Sequence, residues 1–117
     1  MPGLIMKGGK PFAALGLKGG HVQPQVQVQI ITNLIDFGMT IQEAVAAARF
    51  NHLEGPKLGL EPGLPESTVQ ELKRRGHEVV FGNPESFGGA HAIMIHPESG
   101  AFIGGSDPRK GGCVLGF

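Results

Sequence analysis

Apolar and polar positions along the chain fall into short runs broken by glycine and proline. Leu4-Ile5-Met6 and a second apolar run at 12–17 flank the turn Lys7-Gly8-Gly9-Lys10-Pro11, which predicts a β-hairpin. Neither run alternates cleanly with polar residues, so both strands are expected to be covered on two faces. Gln23, Gln25, Gln27 and Gln29 then alternate with Val26, Val28 and Ile30 as a strand would, yet Gln27, Ile30, Ile31, Leu34 and Ile35 fall on helical spacing. Pro24 decides between the two, because it breaks a central strand and suits the first turn of a helix. A helix is predicted over about 24–37, with Gly38 as its left-handed cap.

Thr40 and Glu43 have the spacing of a capping box and open a short helix over 44–49. Residues 50–53 and 57–60 form brief extended runs on either side of Gly55-Pro56. A third helix runs from Pro65 to Arg75 and stops at Gly76, with Lys73, Arg74 and Arg75 in its last turn, where they suit the helix dipole. Strands are predicted at 77–81, 88–96 and 101–105, with a loop at 83–87 and a closing loop at 105–112. A strand pair, then helices, then strands, indicates an α+β fold with a mostly antiparallel sheet and about three helices on one face.

Composition narrows the function. The chain has 117 residues, 20 of them glycine and 9 proline, which suits one domain with one modest core, short elements and many turns. Ten basic and ten acidic residues cancel, so no nucleic-acid partner is expected. No apolar run approaches the roughly 20 residues of a membrane span. Cys113 is the single cysteine and has no internal partner, so the compartment stays open. His21, His52, His77, His91 and His96 lack the close spacing of a zinc site, and neither a metal nor a cofactor is expected. A phosphate loop is excluded as well, since Gly9 stands where the pattern from Gly3 and Gly8 requires lysine. No Gly-x-Ser-x-Gly elbow is present, and Ser67, Ser86, Ser99 and Ser106 have no base partner visible in sequence.

The stretch that does suggest chemistry is Leu17-Lys18-Gly19-Gly20-His21-Val22-Gln23-Pro24. Paired glycines let the backbone turn sharply and approach a ligand. The helix start that follows offers outward N–H groups with partial positive charge. Such a turn can hold an anion or a developing oxyanion.

Gly19-Gly20-x-x-x-Pro24-Gln25, Asp36-Phe37-Gly38, Glu43-Ala44, Ala48-Arg49 and Ser106-Asp107-Pro108-Arg109 recur here in an order and spacing that resembles the C-terminal part of the gamma-glutamyltransferase (gamma-glutamyltranspeptidase) family. The resemblance runs over nearly the whole chain. It implies the αββα sandwich of the N-terminal nucleophile hydrolases. It also implies a precursor that cleaves itself into a large and a small subunit, and a new N-terminal threonine that attacks the gamma-glutamyl amide of a donor such as glutathione. Water or an amino acid is then the acceptor. Carried over by this resemblance, Gly19 and Gly20 are the oxyanion-hole pair, and Lys18 lies at the pocket edge. Arg49, Asp107 and Arg109 take structural roles, Asp107 and Arg109 as a buried charge pair and Arg49 at a helix end.

One departure stands out. The family's threonine lies well upstream of the glycine pair, and none of the 18 residues before Gly19 is Thr, Ser or Cys. The chain is therefore expected to be a C-terminal piece of a small subunit, inactive alone. It would lack the large subunit and the preceding small-subunit segment, and would self-associate through uncovered strand edges and an apolar face. The alternative is a non-catalytic domain that keeps the fold for assembly or small-ligand binding.

Overall fold

A computed structural model describes residues 1–116. Its larger sheet contains β1 (Pro2–Lys7), β2 (Lys10–Lys18), β6 (Gly89–Ile95) and β7 (Phe102–Ser106), in the order β1-β2-β6-β7 and antiparallel throughout. The smaller sheet pairs β3 (Phe50–His52) antiparallel with β4 (Lys57–Leu60), and β4 parallel with β5 (Glu78–Phe81). Between them in sequence lie α1 (Gln23–Ile35), α2 (Ile41–Ala46) and α3 (Glu66–Arg74). The stretch predicted as a loop at 83–87 contains a 3-10 turn over Pro84–Phe87.

The core of the larger sheet lies on one face. Ala13, Leu15 and Leu17 of β2 and Ala90 and Ala92 of β6 are buried against Val26, Ile30 and Leu34 of α1 and Ile41, Ala44 and Val45 of α2. Cover on both faces, expected from the hairpin's lack of alternation, is only partial in this chain: Val114 lies against Gly104 on the second face, and most of the rest of that face is open. Ala14 and Gly16 face the open side, and with them Leu4 at 64% exposure and Phe102 at 78%. The alternation looked unclean because the open face is itself apolar. In the smaller sheet, Leu58 and Leu60 pack on Val69 of α3, with Leu64, Leu72 and Val79 around them.

Three glutamines cap one edge strand of each sheet. The Gln25 carboxamide accepts from His52 N at 2.8 Å and donates to His52 O at 3.1 Å, and Gln29 does the same with Phe50 at 3.0 and 2.9 Å. Four residues apart on α1, the pair imitates a strand laid along β3. Gln42 of α2 repeats the device on β7, accepting from Ser106 N and donating to Ser106 O, both at 3.0 Å. A carboxamide has the donor and acceptor of a peptide group, so it satisfies edge groups that would otherwise invite another strand. The strand-like alternation of glutamines thus belongs to a helix that binds an edge.

Candidate active site

The glycine turn joins β2 to α1. Lys18 pairs with Gly89 across the sheet. Gly19 then takes φ 140° and Gly20 φ 61°, and a 3-10 turn over Gly20–Val22 leads into α1 with Pro24 in its first turn. No side chain caps either helix start, so the N–H groups there are not taken by capping side chains.

A second glycine pair, Gly88-Gly89, sets the turn's position. A Cβ on Gly19 would lie 2.8 Å from Gly88 Cα and 2.9 Å from Val22 Cγ1, and one on Gly88 would lie 2.8 Å from Lys18 O. The two backbones therefore meet with no room for a side chain between them. Lys18 is exposed, and its stem passes over Gly89 beside the Lys110 stem.

Behind Gly88 lies a buried cluster of four charges. Arg49, Glu61 and Asp107 are each 2% exposed. The Arg49 guanidinium donates to Phe87 O at 3.1 Å, Gly88 O at 3.3 Å, Val45 O at 2.8 Å and Asp107 Oδ2 at 2.5 Å. Asp107 Oδ2 also accepts from Ala90 N at 2.9 Å, and Oδ1 accepts from Arg109 N and Nη1 at 2.9 and 3.0 Å. Arg109 grips Glu61 with Nε and Nη2, at 2.5 and 2.6 Å, in the two-pronged geometry natural to a guanidinium. Glu61 Oε2 returns to Arg49 N at 2.7 Å. Two positive and two negative charges make the cluster neutral, as a buried set must be.

Burial works against ionised Asp107, but the Arg109 amide and the two guanidinium groups outweigh it, and its carboxyl stays below the ordinary range. Burial likewise opposes the charge on Arg109, yet its bonds to Glu61 and Asp107 hold the pKa above the usual arginine value.

The cluster also ends α2. The sequence predicted helix to Arg49, but the helix stops at Ala46 and Ala47 turns to ψ 144°. The carbonyls of Val45 and Ala47 are taken by the Arg49 and Arg109 guanidinium groups, which replace the next helical turn. Glu61 and Gly88 were not singled out from the sequence. Nothing in its neighbourhood marks Glu61, whereas the second Gly-Gly pair was a signal for Gly88.

Among the described residues one hydroxyl comes within hydrogen-bond distance of an imidazole, Ser106 Oγ and His91 Nδ1 at 3.2 Å. Thr40 Oγ1 is used in the capping box with Glu43. Ser106 Oγ also lies 3.1 Å from Gly112 O, and its single proton serves either that carbonyl or His91 Nδ1 according to the imidazole tautomer. No group of three His, Cys, Asp or Glu side chains is gathered for a metal among these residues.

A profile of the gamma-glutamyltranspeptidase family matches residues 1–117. The chain belongs to the gamma-glutamyltranspeptidase family. It is 38% identical to the glutathione hydrolase-like YwrD proenzyme of Bacillus subtilis, over all of this chain and 23% of that protein. The cephalosporin acylase of Bacillus halodurans superposes with a TM-score of 0.88 at 36% identity, covering 92% of this chain and 20% of that one. A mutant gamma-glutamyltranspeptidase of Helicobacter pylori gives 0.84 at 33%, covering 94% and 60%. The chain thus spans about a fifth of the length of proenzymes such as the first of these. The gamma-glutamyltranspeptidases are N-terminal nucleophile hydrolases, and the α+β order with mostly antiparallel pairing agrees with that fold.

Proposed function

We propose that the chain is the C-terminal portion of the small subunit of a gamma-glutamyl transferase or hydrolase, and that it supplies the oxyanion hole. The carrying observation is the Gly19-Gly20 turn, uncapped by side chains at the helix start and seated against Gly88. In this reading an N-terminal threonine outside residues 1–117 attacks the gamma-glutamyl amide carbon of a donor such as glutathione, its amine taking the hydroxyl proton. The carbonyl oxygen becomes an oxyanion that Gly19 N–H and Gly20 N–H receive; one such donor contributes about 3 kcal/mol. Collapse expels the amine with a proton and leaves an acyl ester on threonine. Water or an amino acid then cleaves the ester through a second oxyanion in the same hole. Lys18 stands at the rim of that pocket. Arg49, Asp107 and Arg109 position the turn through Gly88.

The open apolar face of the larger sheet suits cover by the second sheet of the sandwich, contributed by the rest of the protein and its large subunit. Alone, the chain would self-associate there; sedimentation that stays monomeric at high concentration counts against this. The reading frame upstream of Met1, with the intact mass of the natural product, tests the whole proposal. An in-frame extension with a threonine at a cleavable junction is expected. A natural product of 12.3 kDa would favour the non-catalytic alternative.

A further inference from the structure

Helix α1 has a second apolar face, left uncovered by the described residues. Val26, Ile30 and Leu34 face the core of the larger sheet, and Gln25 and Gln29 on the adjoining flank hold β3. On the opposite flank α1 passes over β1, where a Cβ on Gly3 would collide with Gln27 Nε2. Outward from Gln27 the helix presents Pro24, Val28, Ile31 and Ile35, spaced by four, three and four residues, the rhythm of a helix-packing seam. Val28 is 64% exposed, Ile35 54%, and Phe37, just past the helix end, 70%.

Charge separates this face from a solvated one. None of the 13 residues of α1 is charged, whereas α3 carries Glu66, Glu71, Lys73 and Arg74 among nine. A surface helix keeps its apolar residues to one stripe and puts charge on the other side; α1 has two stripes and no charge. The second stripe lies toward β1, the end strand of its sheet, which has no neighbour on its outer side among the described residues. Sheet and helix layer are thus both open at β1. This chain spans 23% of one matched proenzyme and 18% of another, and a helix elsewhere in such a protein reaches the stripe at high effective concentration.

We propose that the stripe is the seat of an amphipathic helix from the part of the same protein outside residues 1–117, packed beside α1 and over a strand that extends the sheet past β1. The inference rests on the reading of the chain as one portion of a longer subunit. The occupant is defined by its chemistry. It carries apolar residues at three- and four-residue spacing along about 20 Å, the length of α1. Its contacting face is uncharged, because a charge set against Val28 and Ile35 would lose its water without gaining a partner.

Val28→Cys, Ile35→Cys and, on the charged helix α3, Lys73→Cys are placed separately in the natural product of the reading frame. The native protein is labelled with a maleimide, and each site is read by peptide mass so that Cys113 is counted apart. The thiols at 28 and 35 are expected to react roughly a hundredfold more slowly than the one at 73, as for sites uncovered only by local opening. Benzoylphenylalanine in place of Val28 then identifies the neighbour by photo-cross-linking; a peptide from outside residues 1–117 with the stated spacing is expected. Labelling at 28 and 35 as fast as at 73 overturns the proposal, as does a cross-link to α1 of a second copy or none at all. Turnover of a gamma-glutamyl anilide by the same preparation separates the two readings. Turnover with fast labelling refutes the docked helix alone, and slow labelling without turnover refutes the acyl transfer alone.

Discussion

Replacing Asp107 by asparagine changes one oxygen for one amino group and little volume, yet the structure predicts a large loss of stability. The carboxylate accepts four hydrogen bonds, from Arg49 Nη2, Ala90 N, Arg109 N and Arg109 Nη1. Either orientation of an asparagine amide points an NH2 group at two of these donors. The neutral cluster also gains a net positive charge behind Gly88, where Arg49 is 2% exposed. Breaking a buried pair from one side costs about 3–5 kcal/mol, against a total of about 5–15 kcal/mol for an ordinary domain. With no Trp or Tyr in the chain, urea unfolding is followed by far-ultraviolet circular dichroism. A denaturant slope of about 2 kcal/mol/M turns the loss into a midpoint lowered by roughly 2 M. Glu71→Gln is the control: Glu71 makes equally short bonds to Arg74 and Arg75, but exposed ion pairs contribute little. If Asp107→Asn shifts the midpoint no more than Glu71→Gln, the cluster does not hold the fold.

The acid limb of stability carries the same signature. Because the folded carboxyl of Asp107 lies below its unfolded value of about 3.9, its contribution is complete above that pH and is lost as pH falls through the folded value. The stability gap between wild type and Asp107→Asn, measured by urea titration at several pH values, should therefore be constant near neutrality and shrink below about pH 4. Gly19→Ala should lower the thermal midpoint more than Gly20→Ala. The new Cβ at Gly20 meets open space and costs only about 1–2 kcal/mol of left-handed strain, whereas at Gly19 it meets Gly88 at 2.8 Å; equal melting temperatures would show that the two strands do not meet there. Replacing Gln25 and Gln29 together by alanine should strip hydrogen-exchange protection from the Phe50 and His52 amides, which donate to those carboxamides, while leaving the β2 amides protected. Unchanged protection would remove the edge-capping role.

The parts of the fold legible in the sequence were those governed by local chemistry. Pro24 fixed the choice of helix over strand, Thr40 and Glu43 marked the start of α2, and Gly38 takes φ 63° just beyond α1. The Ser106-Asp107-Pro108-Arg109 series pointed to its family because its spacing is short and its residue types are unusual together. What escaped was long-range. Gln25 and Gln29 are interpretable only once β3 lies beside them, 21 to 27 residues away in sequence. The three short strands of the smaller sheet fall inside the predicted extended runs, but no local pattern records that they form a sheet of their own or that β4 and β5 pair in parallel. Glu61 reaches Arg109 across 48 positions, and no neighbouring residue records that pairing. The early end of α2 has the same origin, since the groups that replace its last helical bonds come from Arg49 and from the closing loop.

The most direct test of the account is turnover of a gamma-glutamyl anilide by residues 1–117 alone, set beside the longer product of the same reading frame. A chain that supplies the oxyanion turn but not the nucleophile should release no more aniline than its heat-denatured blank, while the longer product turns the anilide over. Turnover by the isolated chain would contradict the account, because the attacking group would then lie among these residues.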